Sequence, residues 1–140
     1  MKVLALDHGS ARTGVAVSDP TGTIARPLAA IARVDAPAGR RALDAVIAAE
    51  APELIVVGEP RSMSGERGAQ ARAAAGFAGR LRARTPVPVE LWDERMSTAR
   101  ALGLIREQGG STRGRKGDVD ALAAAVLLQH FLESRRPART

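Results

Sequence analysis

Val3-Leu4-Ala5-Leu6-Asp7-His8-Gly9-Ser10-Ala11-Arg12-Thr13-Gly14-Val15-Ala16-Val17-Ser18 is the stretch that decides the fold. The run Val3 to Leu6 is apolar without alternation, so it reads as a strand buried on both faces. It ends in a carboxylate, Asp7. A glycine turn follows, and Thr13 to Val17 returns along the first strand. A lone buried carboxylate is costly unless it is paired or neutralised. Asp7 therefore needs a partner, most simply a cation.

Working outward, Ser18-Asp19-Pro20-Thr21-Gly22 has the composition of a turn. A third strand over about 23–31 then pairs with the second, and Pro27 marks it as an edge. Leu43, Val46 and Ile47 recur at helical spacing between Arg40 and Glu50, and Pro52 closes that helix. Leu54 to Gly58 is a second unbroken apolar run. A helix between two such strands predicts a right-handed crossover and a parallel pair. After the loop from Glu59 to Gly65, Glu66 to Arg84 reads as a helix with Ala71, Ala74, Ala75, Phe77, Ala78 and Leu81 on its apolar side. Val87 to Trp92 is a short edge strand that runs into Asp93-Glu94-Arg95. A short helix is expected over 97–106, then a flexible basic stretch from Gly109 to Gly117, then a last helix from Asp118 to Glu133. The sum is one α/β domain over 1–140. It holds a mixed five-stranded sheet of order 3-2-1-4-5, with strand 2 antiparallel and helices on both faces.

Composition narrows the chemistry. There is no cysteine, so disulfides and thiolate metal sites are excluded, and a cytoplasmic setting is expected. A metal would have to be held by oxygen or by the two histidines, which points to Mg²⁺ or Mn²⁺. No apolar run is long enough for a membrane span, and the opening residues lack the pattern of a secretory leader. The net charge of +6 favours a polyanionic partner, although the arginine bias also fits a GC-rich coding sequence. With two Phe, one Trp and no Tyr, a module that stacks single-stranded bases on aromatic rings is disfavoured.

Ligand sites in open α/β sheets lie at the carboxyl ends of adjacent strands. Asp7 closes the first strand there, and Glu94 follows the fifth on the same edge. On the last helix, Asp120 continues the stripe of Ala123, Ala124, Leu127, Leu128 and Phe131, so it faces the sheet. Three carboxylates from distant segments suit two-metal phosphodiester chemistry. Asp7, Glu94 and Asp120 are the candidate catalytic and metal-binding acids. Asp93 is an alternative to Glu94, Asp118 reads as an N-cap, Glu59 as a solvated loop acid, and His8 as an exposed neighbour of the site. His130 lies on the last helix without a partner at metal-ligand spacing.

These residues resemble a known family. Asp7-His8-Gly9-Ser10-Ala11-Arg12-Thr13-Gly14-Val15-Ala16-Val17-Ser18-Asp19 is similar to the opening motif of the YqgF (RuvX) proteins. Val56-Val57-Gly58-Glu59-Pro60 with Met63-Ser64-Gly65, Asp93-Glu94-Arg95-Met96-Ser97-Thr98, and Val119-Asp120-Ala121-Leu122-Ala123-Ala124 with Gln129 match its later blocks in order. That family is described both as Holliday junction resolvases and as nucleases maturing the 5′ end of pre-16S ribosomal RNA. The resemblance implies a ribonuclease H-like fold and assigns metal binding to Asp7, Glu94 and Asp120. It brings Arg12 and the loop from Gly58 to Gly65, with Arg61, to the nucleic-acid backbone. Arg95, Arg113, Arg115 and Lys116 complete the candidate contacts. Glu59 departs from the family, which usually has an apolar residue there.

The expected activity is hydrolysis of phosphodiester bonds in structured nucleic acid, either pre-rRNA or branched DNA, by a monomer or weak homodimer. A basic nucleic-acid-binding domain whose acids only support the fold is the non-enzymatic alternative. An actin-like sugar kinase, which uses a similar phosphate turn, would need a second lobe for which 140 residues leave no room.

Overall fold

A computed structural model describes residues 1–59, 68–93 and 116–135, the last segment by its side chains from 118 onward. Its strands are β1 (Val3–Asp7), β2 (Arg12–Ser18), β3 (Ala25–Ala32), β4 (Leu54–Glu59) and β5 (Val89–Asp93). Its helices are α1 (Pro37–Glu50), α2 (Ala69–Arg82) and α3 (Lys116–Ser134). The strands form one sheet of order β3-β2-β1-β4-β5. β1 pairs antiparallel with β2 and parallel with β4, and β4 pairs parallel with β5. This is the sheet expected from the sequence, with the two unbroken apolar strands adjacent at its centre. The short helix expected over 97–106 lies outside the described residues.

Strand alternation sorts the core into two layers. Leu4, Leu6, Val15, Val17, Ile55 and Val57 face α1 and α2, where they pack on Leu43, Ala74, Phe77, Ala78 and Leu81. Val3, Ala5, Ala16, Leu54 and Val56 face α3, where they meet Ala124, Leu127, Leu128 and Phe131. Trp92 joins this second layer and stands edge-on to Phe131 at 5.8 Å between ring centroids.

The periphery follows local chemistry. The Asp19 carboxylate accepts hydrogen bonds from the backbone N–H groups of Thr21, Thr23 and Ile24 and from the Thr21 hydroxyl, which closes the β2–β3 turn. These donors hold its pKa well below the usual carboxylate range, the Ile24 N–H contributing most. Pro27 sits on the edge strand, and the β2–β3 register slips between Val15 and Ala16, where Ala29 and Pro27 are the successive partners. A proline without an N–H and a local bulge are both edge features. Gln129 ties α3 to this edge, accepting from the Ala25 N–H at 3.0 Å and donating to the Thr23 carbonyl at 3.2 Å.

Three expectations change. α3 begins two residues before Asp118, so Asp118 is an exposed acid of the first turn rather than the N-cap. It still favours the helix through the dipole. Lys116 and Gly117 belong to this helix and not to a flexible stretch. Glu59 is not a solvated loop acid: it is the last residue of β4 and only 2% exposed.

Candidate active site

β1 delivers Asp7 to the carboxyl edge of the sheet. Alternation along Val3, Ala5 and Asp7 turns this side chain to the α3 face. Its antiparallel partner is Gly14. The close approach of α3 depends on Gly14, because a methyl group placed there would overlap the backbone carbonyl of Asp120. The missing side chain lets the first turn of α3 lie directly on the strand beside Asp7. In the neighbouring strand β4, Leu6 pairs with Val57, so Gly58 is level with Asp7. A methyl group on Gly58 would run into the Leu127 side chain. Two glycines therefore flank the acid and draw one helix down over it.

Asp120 is thus brought to the same face and the same end of the sheet as Asp7. Its side chain is 28% exposed, and its Oδ2 accepts a 2.6 Å hydrogen bond from Arg12 Nε. Arg12 is the first residue of β2, on the same face as Gly14. The family resemblance assigns Arg12 to the nucleic-acid backbone; the structure places it in an ion pair with one of the candidate acids. A cation held by an ionised acceptor is the stronger kind of hydrogen bond, and partial exposure tempers it here.

Other candidates separate from this pair. Asp93 is exposed, and alternation with Leu91 turns it toward the α1–α2 face, away from Asp7. Glu59, its partner in β4, follows Ile55 and Val57 onto that same face. His8 is not the exposed neighbour expected from the sequence: its side chain is 8% exposed and lies on the face opposite Asp7. Its ring stacks on Phe77 at 4.8 Å, and Nε2 lies 3.6 Å from Asp35 Oδ2. Burial pushes the imidazole pKa down, more than the nearby Asp35 raises it. Asp35 is gripped by Arg80 through two 3.0 Å bonds, and this pairing is the main cause of its lowered pKa. Neither the Gly14–Asp120 approach nor the His8–Asp35–Arg80 cluster carries a sequence signal beyond residue type, since each joins segments far apart in the chain.

Glu94, Arg61, Arg95, Arg113 and Arg115 lie outside the described residues, as does the side chain of Lys116. Among the described residues no group of three His, Cys, Asp or Glu side chains converges to hold a metal. The two acids that share this face, Asp7 and Asp120, fit a hard divalent cation by donor type, both being carboxylates. Asp120 already holds one positive group, the Arg12 guanidinium.

A mixed sheet of order 3-2-1-4-5 with helices on both faces is the ribonuclease H-like fold. A solved structure of the fowlpox virus resolvase with substrate Holliday junction DNA shares the fold at a TM-score of 0.56. The alignment covers 96% of this chain and 98% of that one, at 10% sequence identity. The family model described as "RuvX: Holliday junction resolvase" matches residues 1–134, and the chain belongs to that family. Among its relatives, a protein of Anaeromyxobacter sp. is 44% identical, over 96% of this chain and 98% of its own length. One of Nocardioides sp. is 43% identical, over 95% and 88%. Both carry the name "Putative pre-16S rRNA nuclease".

Proposed function

We propose that the protein is a divalent-metal-dependent nuclease that hydrolyses phosphodiester bonds at the 5′ end of pre-16S rRNA. The observation that carries this reading is the close approach of the Asp120 backbone to Gly14, the strand partner of Asp7, which sets both acids at one end of one sheet face. Family membership and the names of the relatives support the reaction class and the substrate.

Asp7, Asp120 and Glu94 are the residues that would hold the ion, Mg²⁺ or Mn²⁺. Glu90 and Trp92 share the α3 side of β5, whereas Asp93 falls on the other face, which disfavours Asp93 as the third acid. A bound divalent cation supplies Lewis acidity, which lowers the pKa of a bound water and offsets charge on the departing oxygen. The protein's own residues do the positioning. Asp7 sits on the central strand and gives a fixed carboxylate. Asp120 is carried by a helix pressed onto that strand. Arg12, beside Asp120, offers a positive group where the phosphodiester arrives. A ribosomal precursor as substrate puts the reaction in the cytoplasm.

Cleavage of a four-way DNA junction is the second reading, favoured by the family description and by the fold shared with a junction resolvase. It calls for two symmetric sites and hence a twofold dimer, whereas trimming an RNA end is possible for a monomer. The test incubates pure protein with a 5′-extended 16S precursor and with a junction, each with and without Mn²⁺. Metal-dependent cleavage of the precursor that falls at least about 100-fold in Asp7→Asn, Glu94→Gln and Asp120→Asn is expected for groups central to catalysis. Cleavage of the junction alone would transfer the assignment to DNA. Undiminished cleavage in Asp7→Asn, or no cleavage by the wild type with nucleic-acid binding intact, would leave a binding domain whose acids serve the fold.

A further inference from the structure

The turn from His8 to Ala11 joins Asp7, the last residue of β1, to Arg12, the first of β2. Its path bears on both described acids, since Arg12 is bonded to Asp120. Gly9 keeps it tight: a methyl group there would overlap the Arg12 carbonyl oxygen.

A second turn leans on the first. Residues 33–36 connect β3 to α1, and the Arg33 N–H donates to the Ala11 carbonyl at 3.0 Å. Arg33 has φ +45°, a left-handed backbone that a residue with a side chain adopts only at a cost. Its carbonyl accepts from the Ala36 N–H at 2.9 Å, and Gly39, lacking a side chain, lets α1 close over it. Backbone of this kind persists where its surroundings over-determine it, and it collects near functional sites.

The side chains repeat the contact. The His8 ring lies on Phe77 at 4.8 Å, and its Nε2 is 3.6 Å from Asp35 of the second turn. Phe77 is buried, and Arg80, three positions on in α2, holds Asp35 by two 3.0 Å bonds. Residues three apart share a helix face, so one face of α2 reaches His8 twice, directly and through Asp35. An aliphatic side chain would fill the same space at a smaller desolvation cost than an imidazole, so packing alone does not account for a histidine here.

We propose that Arg80 and Asp35 are positioning residues for the metal site, acting through His8 to fix the strand end from which Asp7 projects. This role takes its ion from the nuclease reading. His8 and Asp7 occupy adjacent backbone positions and leave the strand end on opposite faces, so a rotation that frees His8 from α2 swings the Asp7 carboxylate on the other side.

Calorimetric titration of the full-length protein with Mn²⁺, without nucleic acid, is the test. Arg80→Met is expected to bind Mn²⁺ about 3- to 10-fold more weakly, less than the roughly 10- to 100-fold loss typical of a group bonded to a metal ligand itself. Charge alone predicts the opposite sign, because removing one cation favours the binding of another. His8→Leu should show a similar loss, and adding Arg80→Met to it should cost less than about twofold more, since both act along one chain of contacts. Arg84→Met is the control. Arg84 pairs with Asp44 of α1 at 3.5 Å, so the change removes the same charge and an ion pair to α1 without reaching His8. It should bind Mn²⁺ within about twofold of wild type. The Arg80 side chain is more than half exposed, so its loss leaves the core intact, and thermal melts of every variant check folding. Wild-type or tighter Mn²⁺ binding in Arg80→Met, an equal loss in Arg84→Met, or independent losses that multiply in the double variant would overturn the positioning role. Asp7→Asn separates this role from the nuclease reading. Lost Mn²⁺ binding in Asp7→Asn with normal binding in Arg80→Met sinks the positioning role alone. Normal binding in Asp7→Asn removes the metal site and the positioning role together.

Discussion

Gly14 decides how close the two described acids come. Any side chain there meets the Asp120 backbone, which cannot retreat without lifting the first turn of α3. Gly14→Ala is therefore an overpacking change at a helix–sheet contact, and such changes cost about 1–3 kcal/mol. The expected result is a melting temperature lower by roughly 3–10 °C, together with loss of cleavage. A melt and an activity assay check both. Arg12 makes a different prediction. Its guanidinium holds the Asp120 carboxylate, a group that would help to hold a divalent ion. Arg12→Gln removes that competitor, so the affinity for Mn²⁺, read by calorimetry without substrate, should rise about three- to tenfold while cleavage falls. Unchanged Mn²⁺ affinity would mean that the pair does not compete with the ion.

At the scale of elements, apolar runs and prolines are legible and cross-chain contacts are not. Val3 to Leu6 and Leu54 to Val57 have no polar residue to turn toward water, so their central place in the sheet is dictated by sequence alone. Pro27 can belong only to an edge. The start of α3 is harder to read, because Lys116 and Gly117 carry no capping signal and Asp118 fits an N-cap as well as a first turn. Asp7 and Asp120 are readable because each breaks an apolar pattern. His8 is not: a histidine after a strand-end acid looks exposed until Phe77, 69 positions later, is seen beneath it. The β2–β3 turn offers its own test. Asp19 has a lowered folded-state pKa, so its contribution is present above the ordinary carboxylate pKa and is lost as pH falls through the folded value. Asp19→Ala should lower the melting temperature at about pH 7, and the gap to wild type should begin to narrow as pH drops below about 4 and close further into the acid range. Melts across that range give the comparison.

Taken whole, the molecule brings Asp7 and Asp120 to the α3 side of one sheet edge. A site that collects acids is strained by their mutual repulsion until a cation joins them. Binding of an ion to the folded state alone stabilises it by linkage, about 2.7 kcal/mol at roughly 100 times the dissociation constant. Mn²⁺ is thus expected to raise the melting temperature of the wild type by several degrees and to leave Asp7→Asn unmoved. An equal rise in both would place the ion elsewhere.

The edge-on packing of Trp92 against Phe131 has a practical consequence. The chain has one tryptophan and no tyrosine, so its near-ultraviolet emission comes from a single indole. That indole is wedged between β5 and α3, two positions before Glu94 in the sequence. Its emission colour and quenching report on the seating of α3 with no label attached, and stopped-flow traces can time that seating during refolding.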